Sequence, residues 1–127
     1  MIEILPKWTE PAIRVLMMPR DTNAHGTIFG GVILSYLDQA GAIEARRQGC
    51  HLMVTVSMDK VVFHEPVHVG DLVSFWTETL RIGTTSITTR VIVESLRNGN
   101  ERVTVTEAQV VYVNLGYDRK PTPIVRR

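Results

Sequence analysis

A chain of 127 residues makes one domain, long enough to bury roughly two-thirds of the surface it exposes when unfolded. Its 44% hydrophobic and 21% charged residues exclude the disordered and fibrous classes, and 14 Lys and Arg against 13 Asp and Glu exclude the basic footprint of a nucleic-acid binder. One cysteine, Cys50, excludes an intrachain disulfide and suits a reducing compartment.

Residues 11–18 (PAIRVLMM) are short and apolar-rich and predict a first strand. Residues 19–26 (PRDTNAHG) collect Pro, Asp, Asn and Gly and predict a loop. Residues 30–49 (GGVILSYLDQAGAIEARRQG) predict the one helix. They contain no proline, their apolar residues recur at Ile33, Leu37 and Ala40, and Arg46 and Arg47 followed by Gly49 form a helix stop. The first two-thirds of this helix is apolar nearly all round, the pattern of a helix enclosed by its surroundings.

Everything after the helix reads as strand. The segments 51–67, 71–82, 85–96 and 101–115 are rich in Val, Ile and Thr, with turn signals at 68–71, 82–84 and 97–100. Asn98-Gly99 predicts a two-residue hairpin turn. Within 86–96, apolar Ile87, Val91 and Val93 alternate with polar neighbours, so one sheet face is dry. Long strands joined by short turns predict an antiparallel sheet, and the apolar helix is its partner. The fold class is therefore α+β, a curved antiparallel sheet wrapped around one central helix. The core spans about 12–115, and 116–127 read as a basic, partly mobile C-terminal tail. With no apolar run near 18 residues and no basic-then-apolar leader, the expectation is a cytoplasmic protein with no membrane partner and no nucleic-acid partner.

His64-Glu65-Pro66-Val67-His68 matches H-E-x-x-H, whose two histidines bind zinc from one helical face. Pro66 breaks a helix there and the flanks are strand and turn, so the pattern reads as a strand end, and no metal site is expected. Cys50 directly follows the helix stop and reads as an inert thiol. No nucleophile elbow, P-loop or dinucleotide fingerprint is present in the sequence.

Asp38 sits in mid-helix among Gly31, Leu34, Ser35, Gly41, Ala42 and Ala45, a face of small residues with room beside the carboxylate. A carboxylate in an apolar place is costly unless paired or used, although a hydrogen-bonded helix aspartate is the simpler reading of the spacing alone. Gly30-Gly31 opens the helix without a capping side chain, which leaves amides suited to a polarised carbonyl. Taken alone, glycines that simply permit close packing or a tight entry turn are the simpler reading. Gly31 and Asp38 lie about 10 Å apart along the helix, too far to act on one atom within one chain unless the substrate runs along it.

The stretch M-P-R-D-T-N-A-H-G-T-I-F-G-G at residues 18–31, followed by Asp38, resembles the signature of hotdog-fold acyl-CoA thioesterases, in the YciA-like and cytosolic acyl-CoA hydrolase branch. The similarity continues through Val54-Thr55-Val56, Phe63, Pro66-Val67, Val69-Gly70-Asp71, Gly83-Thr84-Thr85-Ser86 and Thr106-Glu107-Ala108, and covers about residues 12–123. The loop with its helix aspartate is the specific part, while valine-rich strands are common.

The resemblance implies the hotdog fold and dimers with a continuous sheet, often assembled into tetramers or hexamers, with active sites between subunits. It implies hydrolysis of acyl-CoA to a free acid and coenzyme A without metal or cofactor, coenzyme A being part of the substrate. By position, Asp38 would be general base or nucleophile, Asn23 would orient water or thioester, and Gly31 would donate its amide to the carbonyl oxygen. Thr84, Thr85 and Ser86 match a loop lying near coenzyme A. His25 stands where related enzymes vary. Arg81, Arg90, Arg119 and Lys120 are candidates for the phosphates. The alternatives are a non-catalytic acyl-CoA sensor and another hotdog enzyme such as an acyl-thioester dehydratase. Product analysis separates the three readings: free thiol, no turnover, or a changed double bond.

Overall fold

The computed structural model describes residues 3–125. Strand β1 (Ile13–Leu16) and a 3-10 turn (Pro19–Asp21) lead into helix α1 (Gly30–Arg47). Four strands follow: β2 (Leu52–Phe63), β3 (Leu72–Ile82), β4 (Ser86–Arg97) and β5 (Glu101–Leu115). They form one antiparallel sheet in the order β1-β3-β4-β5-β2. No helix among the described residues is long and apolar enough to cross a membrane.

Two of the strand connections are the short turns expected from the sequence. Asn98 and Gly99 both take positive φ, 50° and 86°, as a type I′ turn requires. Pairing of Arg97 with Glu101 leaves three residues in that loop, one more than the sequence suggests. The connection from β2 to β3 is different. It is no hairpin, because β2 pairs only with β5 and lies three strand positions from β3. Three spacings of about 4.8 Å make roughly 14 Å, which the intervening segment spans easily. That segment crosses the end of the sheet, held by His64 N–H to Val105 O (2.8 Å), Ile28 N–H to Val67 O (2.8 Å) and Gly70 N–H to Met17 O (2.9 Å).

A bulge at Val105 makes the first of those bonds available. The register against β4 slips between Val93 and Glu94, so Val105 is extra, and its carbonyl accepts from both His64 and Glu65. The slip also changes which residues of β5 face inward, and from Thr106 onward the even positions are buried. In β4 the odd positions Ile87, Val91 and Val93 are fully buried, as the alternation requires.

Helix α1 packs chiefly on β3 and β4 through Ile33, Leu37, Ala40, Gly41, Glu44 and Ala45. This is one stripe. Val32, Leu34, Tyr36 and Ala42 are only half-buried and Ile43 is exposed, so within one chain the helix is not enclosed all round. A single sheet covers a single side. The edge strand β2 is likewise open: Leu52, Val54, Val56, Val62 and Phe63 are exposed, and two register breaks interrupt it.

The C-terminal segment is a correction to the sequence reading. As far as residue 125 it folds back on the sheet, and the last two residues lie outside the described ones. Ile124 is buried and its N–H donates to Thr84 O (2.9 Å), while Asn114 Nδ2 donates to Thr122 O (3.1 Å) and Pro123 O (3.3 Å). Composition marked the segment as basic, but one buried isoleucine and a carbonyl-seeking asparagine decide its placement.

Asp71, at the start of β3, fixes the crossing segment. It accepts from His68 N–H (3.0 Å), Ser95 Oγ (2.8 Å) and Arg97 Nε (3.0 Å), and Arg97 also reaches Pro66 O and Glu65. Burial pushes the Asp71 carboxyl up, but these donors outweigh it and hold the group below the usual carboxylate range. A folded-state pKa below the unfolded value of about 3.9 gives stability that is complete above that value and lost as pH falls through the folded one. Asp71→Asn should therefore lower Tm at neutral pH and flatten its fall below pH ~4. Parallel melting curves from pH 2 to 7 check this, and an unchanged acid limb would contradict it.

Candidate active site

The loop before α1 builds itself around Asn23. Its Oδ1 accepts from His25 N–H (2.8 Å) and Thr27 N–H (3.2 Å), and its Nδ2 donates to Thr27 Oγ1 (3.0 Å). Gly26, at φ +85°, closes the turn with its N–H on Asn23 O (3.2 Å). Asn side chains favour such local bonds, which is why this residue type suits a tight loop. Phe29 N–H donates to Asp21 O (2.8 Å), and buried Ile28 anchors the loop below. His25 is exposed beside it.

The chain enters α1 at Phe29, whose side chain makes no cap bond. The N–H groups of Gly30 and Gly31 therefore have no acceptor among the described residues. Gly31 is exposed and the Phe29 ring lies over it; a Cβ there would come within 2.6 Å of the ring. The uncapped, glycine-lined helix start expected from the sequence is present, with the helix dipole behind it.

Seven residues on, at about 20° from the same angular position, stands Asp38. Its Oδ1 accepts from Thr55 Oγ1 of β2 (2.8 Å) and lies 3.1 Å from Tyr112 Oη of β5. The Tyr112 hydroxyl is closer still to the Asp38 main-chain carbonyl, at 2.6 Å. No donor among the described residues reaches Oδ2, and the carboxylate is half-buried. Burial, and then the charge of Asp38, push the Tyr112 phenol far up, so it remains a proton donor.

Gly41, one of the small residues beside Asp38, leaves no room for a ligand. A Cβ on Gly41 would lie 2.3 Å from Tyr112 Oη and 3.0 Å from Thr89 Oγ1. The room at Gly41 is occupied by a tyrosine of the same chain.

Two grooves flank the helix start, and Gly31 lines one of them. A groove of about 460 Å³ runs past the helix start between Asp21, Phe29, Gly31, Val32, Ser35 and Tyr36. Another of about 320 Å³ lies between Gly30, Ile33, Phe63, His64, Pro66 and Val67. Asp38 lines neither.

Thr84, Thr85 and Ser86 occupy the β3–β4 turn at one end of the sheet, where Ser86 O accepts from Gly83 N–H (2.8 Å). Ile87, the next residue, pairs with Tyr112, and Tyr112 pairs with Thr55. The turn is thus one residue beyond the row that holds Asp38. Of the basic candidates, Arg90 is engaged by Glu107 (3.2 Å) and Glu78 (3.7 Å), while Arg81, Arg119 and Lys120 are exposed.

The H-E-x-x-H segment is not helical: His64 Nε2 meets Glu107 (3.0 Å), and Glu65 meets Arg97 (3.5 Å). His64, and then Arg90, hold Glu107 below the usual carboxylate range. Cys50 is fully buried and burial pushes its thiol up to about 11, so it is inert.

Thr55 and Tyr112, the two side chains that reach Asp38, are the neighbours that the sequence did not single out. Both lie in valine-rich strands, where they read as ordinary strand residues. One usable signal was Gly41, since glycine inside a helix costs about 1 kcal/mol relative to alanine and asks for a close neighbour. The other was Tyr112 on the dry face of β5, where a buried hydroxyl needs a partner.

Residues 25–102 match the family model described as the Thioesterase superfamily. The chain belongs to the thioesterase superfamily. Within that family it is 40% identical over 119 residues to the acyl-CoA thioester hydrolase YciA of Salmonella typhimurium, covering 91% of this chain and 90% of that one. Among solved structures it is similar to Cj0915, a hexameric hotdog fold thioesterase of Campylobacter jejuni. There the identity is 44% and the TM-score 0.86, over 91% of this chain and 90% of that one. The hexameric thioesterase y2039 of Yersinia pestis gives 38% identity and a TM-score of 0.85, over 93% and 97%. The five-stranded sheet with its one helix is accordingly a hotdog fold, as the resemblance implied.

Proposed function

We propose that this protein hydrolyses acyl-CoA thioesters to a free acid and coenzyme A, at a site completed by a second copy of the chain. The observation that carries the reading is the helix stripe that starts with the Gly31 amide and continues to Asp38; among the described residues that amide has no acceptor, and one Asp38 oxygen is held while the other has no donor. The relatives named as acyl-CoA thioester hydrolases support the substrate class.

In this reading Asp38 Oδ2 takes a proton from water as the water oxygen bonds to the thioester carbon. The Gly31 N–H of the other copy receives the developing oxyanion, and its uncapped helix start adds its dipole. The tetrahedral intermediate then expels sulfur as the C–S bond breaks, and the thiolate takes up the proton. Asn23 orients the water or the thioester, and the turn of Thr84, Thr85 and Ser86 lies along coenzyme A.

One chain cannot bring Gly31 and Asp38 to the same carbonyl across roughly 10 Å. The open β2 edge, with exposed Leu52, Val54 and Val56, and the half-covered helix both call for a partner surface. Pairing there would set the Asn23 loop of one copy toward Asp38 of the other. The solved relatives Cj0915 and y2039 are hexamers, and an assembly of dimers is proposed here too.

The test is thiol release from a panel of acyl-CoA esters of increasing chain length, with light scattering of the same sample. Release from at least one ester by an oligomer is expected. Tight binding with no release from any ester would move the protein to the sensor class.

A further inference from the structure

We infer that Tyr112 is a positioning residue for Asp38: its hydroxyl, seated where a Gly41 side chain would be, holds Oδ1 and leaves Oδ2 as the reacting oxygen. The inference rests on the proposed role of Asp38 and adds the device that aims it.

Tyr112 lies near the end of β5, is 1% exposed, and pairs with Ile87 on one side and Thr55 on the other. A core tyrosine could satisfy its hydroxyl on any single carbonyl. Here the hydroxyl lies between two acceptors of one residue, the Asp38 carbonyl at 2.6 Å and its Oδ1 at 3.1 Å. It therefore ties the helix backbone at residue 38 to the side chain that projects from it. Thr55 Oγ1 at 2.8 Å completes the grip on Oδ1. The single Tyr112 proton is shared between the main-chain carbonyl and Oδ1, and Thr55 Oγ1 donates to Oδ1 as well, so the plane of the carboxylate is fixed and its other oxygen position is left with no donor among the described residues.

Gly41 belongs to the same device. Helix interiors disfavour glycine, yet alanine here would put Cβ 2.3 Å from Tyr112 Oη and 3.1 Å from its Cε2. The two residues are coupled through one hydroxyl.

The test compares Tyr112→Phe, Gly41→Ala, the double variant and Asp38→Asn in thiol-release kinetics. Melting temperature and oligomeric state are measured on each sample. Tyr112→Phe is expected to lower kcat about 10- to 100-fold with KM within about twofold, the usual size for losing an orienting partner. Gly41→Ala is expected to fall into the same range. The double variant should be no slower than Tyr112→Phe by more than about twofold, because both changes act through the same group.

A purely structural tyrosine would lower Tm and leave kcat per folded protomer unchanged, and that result overturns the inference. So does an additive double variant. Should Tyr112→Phe fail to fold, Gly41→Ala carries the test by the same split of kcat from KM, and wild-type kcat in that variant overturns the inference. Turnover retained by Asp38→Asn removes the role of Asp38 itself, whatever Tyr112→Phe does. Loss in Asp38→Asn beside full kcat in Tyr112→Phe removes only the positioning role.

Discussion

An Asp38→Asn variant is expected to fold, bind acyl-CoA and release thiol about 10²- to 10⁴-fold more slowly than the wild type, the range ordinarily supplied by a general base. The substitution is nearly isosteric. The amide oxygen can take the place of Oδ1 and accept from Thr55 and Tyr112 as the carboxylate does. What changes is the free position, where an NH₂ donor replaces the unpaired Oδ2. A proton can no longer be accepted there, whether the group acts as a base or attacks the thioester directly. The loss corresponds to roughly 3–5 kcal/mol of transition-state stabilisation at 1.36 kcal/mol per decade. Stability should change little, since both hydrogen bonds survive. The measurement is kcat by thiol release together with acyl-CoA affinity by calorimetry. A kcat within about threefold of wild type, at equal affinity, would remove Asp38 from the chemistry and leave the family membership intact.

The parts of this arrangement that could be read in the chain are those governed by local rules. The alternation of Ile87, Val91 and Val93 fixes which face of β4 is dry, because side chains in a strand can only alternate. The helix and its uncapped start follow from glycine, periodicity and the missing cap, all within a few residues. Non-local geometry was not readable in the same way. Nothing in residues 64–71 says that the next strand pairs three positions away, since the bond that guides them comes from a bulge at Val105. Arg90 is a free cation in the sequence and is engaged by Glu78 and Glu107 once strands align. The face around Asp38 shows the limit most clearly. Small residues mark a close approach, but spacing cannot say whether a ligand or Tyr112 makes it. The half-covered helix is the opposite case. Its apolar sides predict an enclosed helix, and one sheet leaves part of them open.

Glu44→Ala is expected to destabilise the protein by about 3–5 kcal/mol, the usual result of removing one partner from a buried ion pair. Glu44 is on the buried stripe of α1 and is 0% exposed. Its two oxygens accept from Thr77 Oγ1 (3.2 Å), Thr79 Oγ1 (2.5 Å), Gln48 Nε2 (3.2 Å) and Arg47 (3.2 and 3.3 Å). Alanine would leave two β3 hydroxyls without this acceptor and remove the carboxylate partner of Arg47, whose side chain is 17% exposed. The damage should spread to the N-terminal segment. Gln48 Oε1 accepts from Leu5 N–H (3.1 Å), Arg47 donates to Pro6 O (2.6 Å), and its guanidinium lies 4.7 Å from the centre of the Trp8 ring. A chain of this size should lose roughly 10–20 °C in Tm, measured at one protomer concentration because assembly also contributes to stability. Glu44→Gln keeps the volume and one acceptor oxygen and should lose less. Glu44 lies roughly 9 Å further along the helix than Asp38 and well round from it, so kcat per folded protomer should stay near wild type in both variants. A Tm within a few degrees of wild type for Glu44→Ala would mean that water replaces the carboxylate and that the cluster is not what pins α1 to β3.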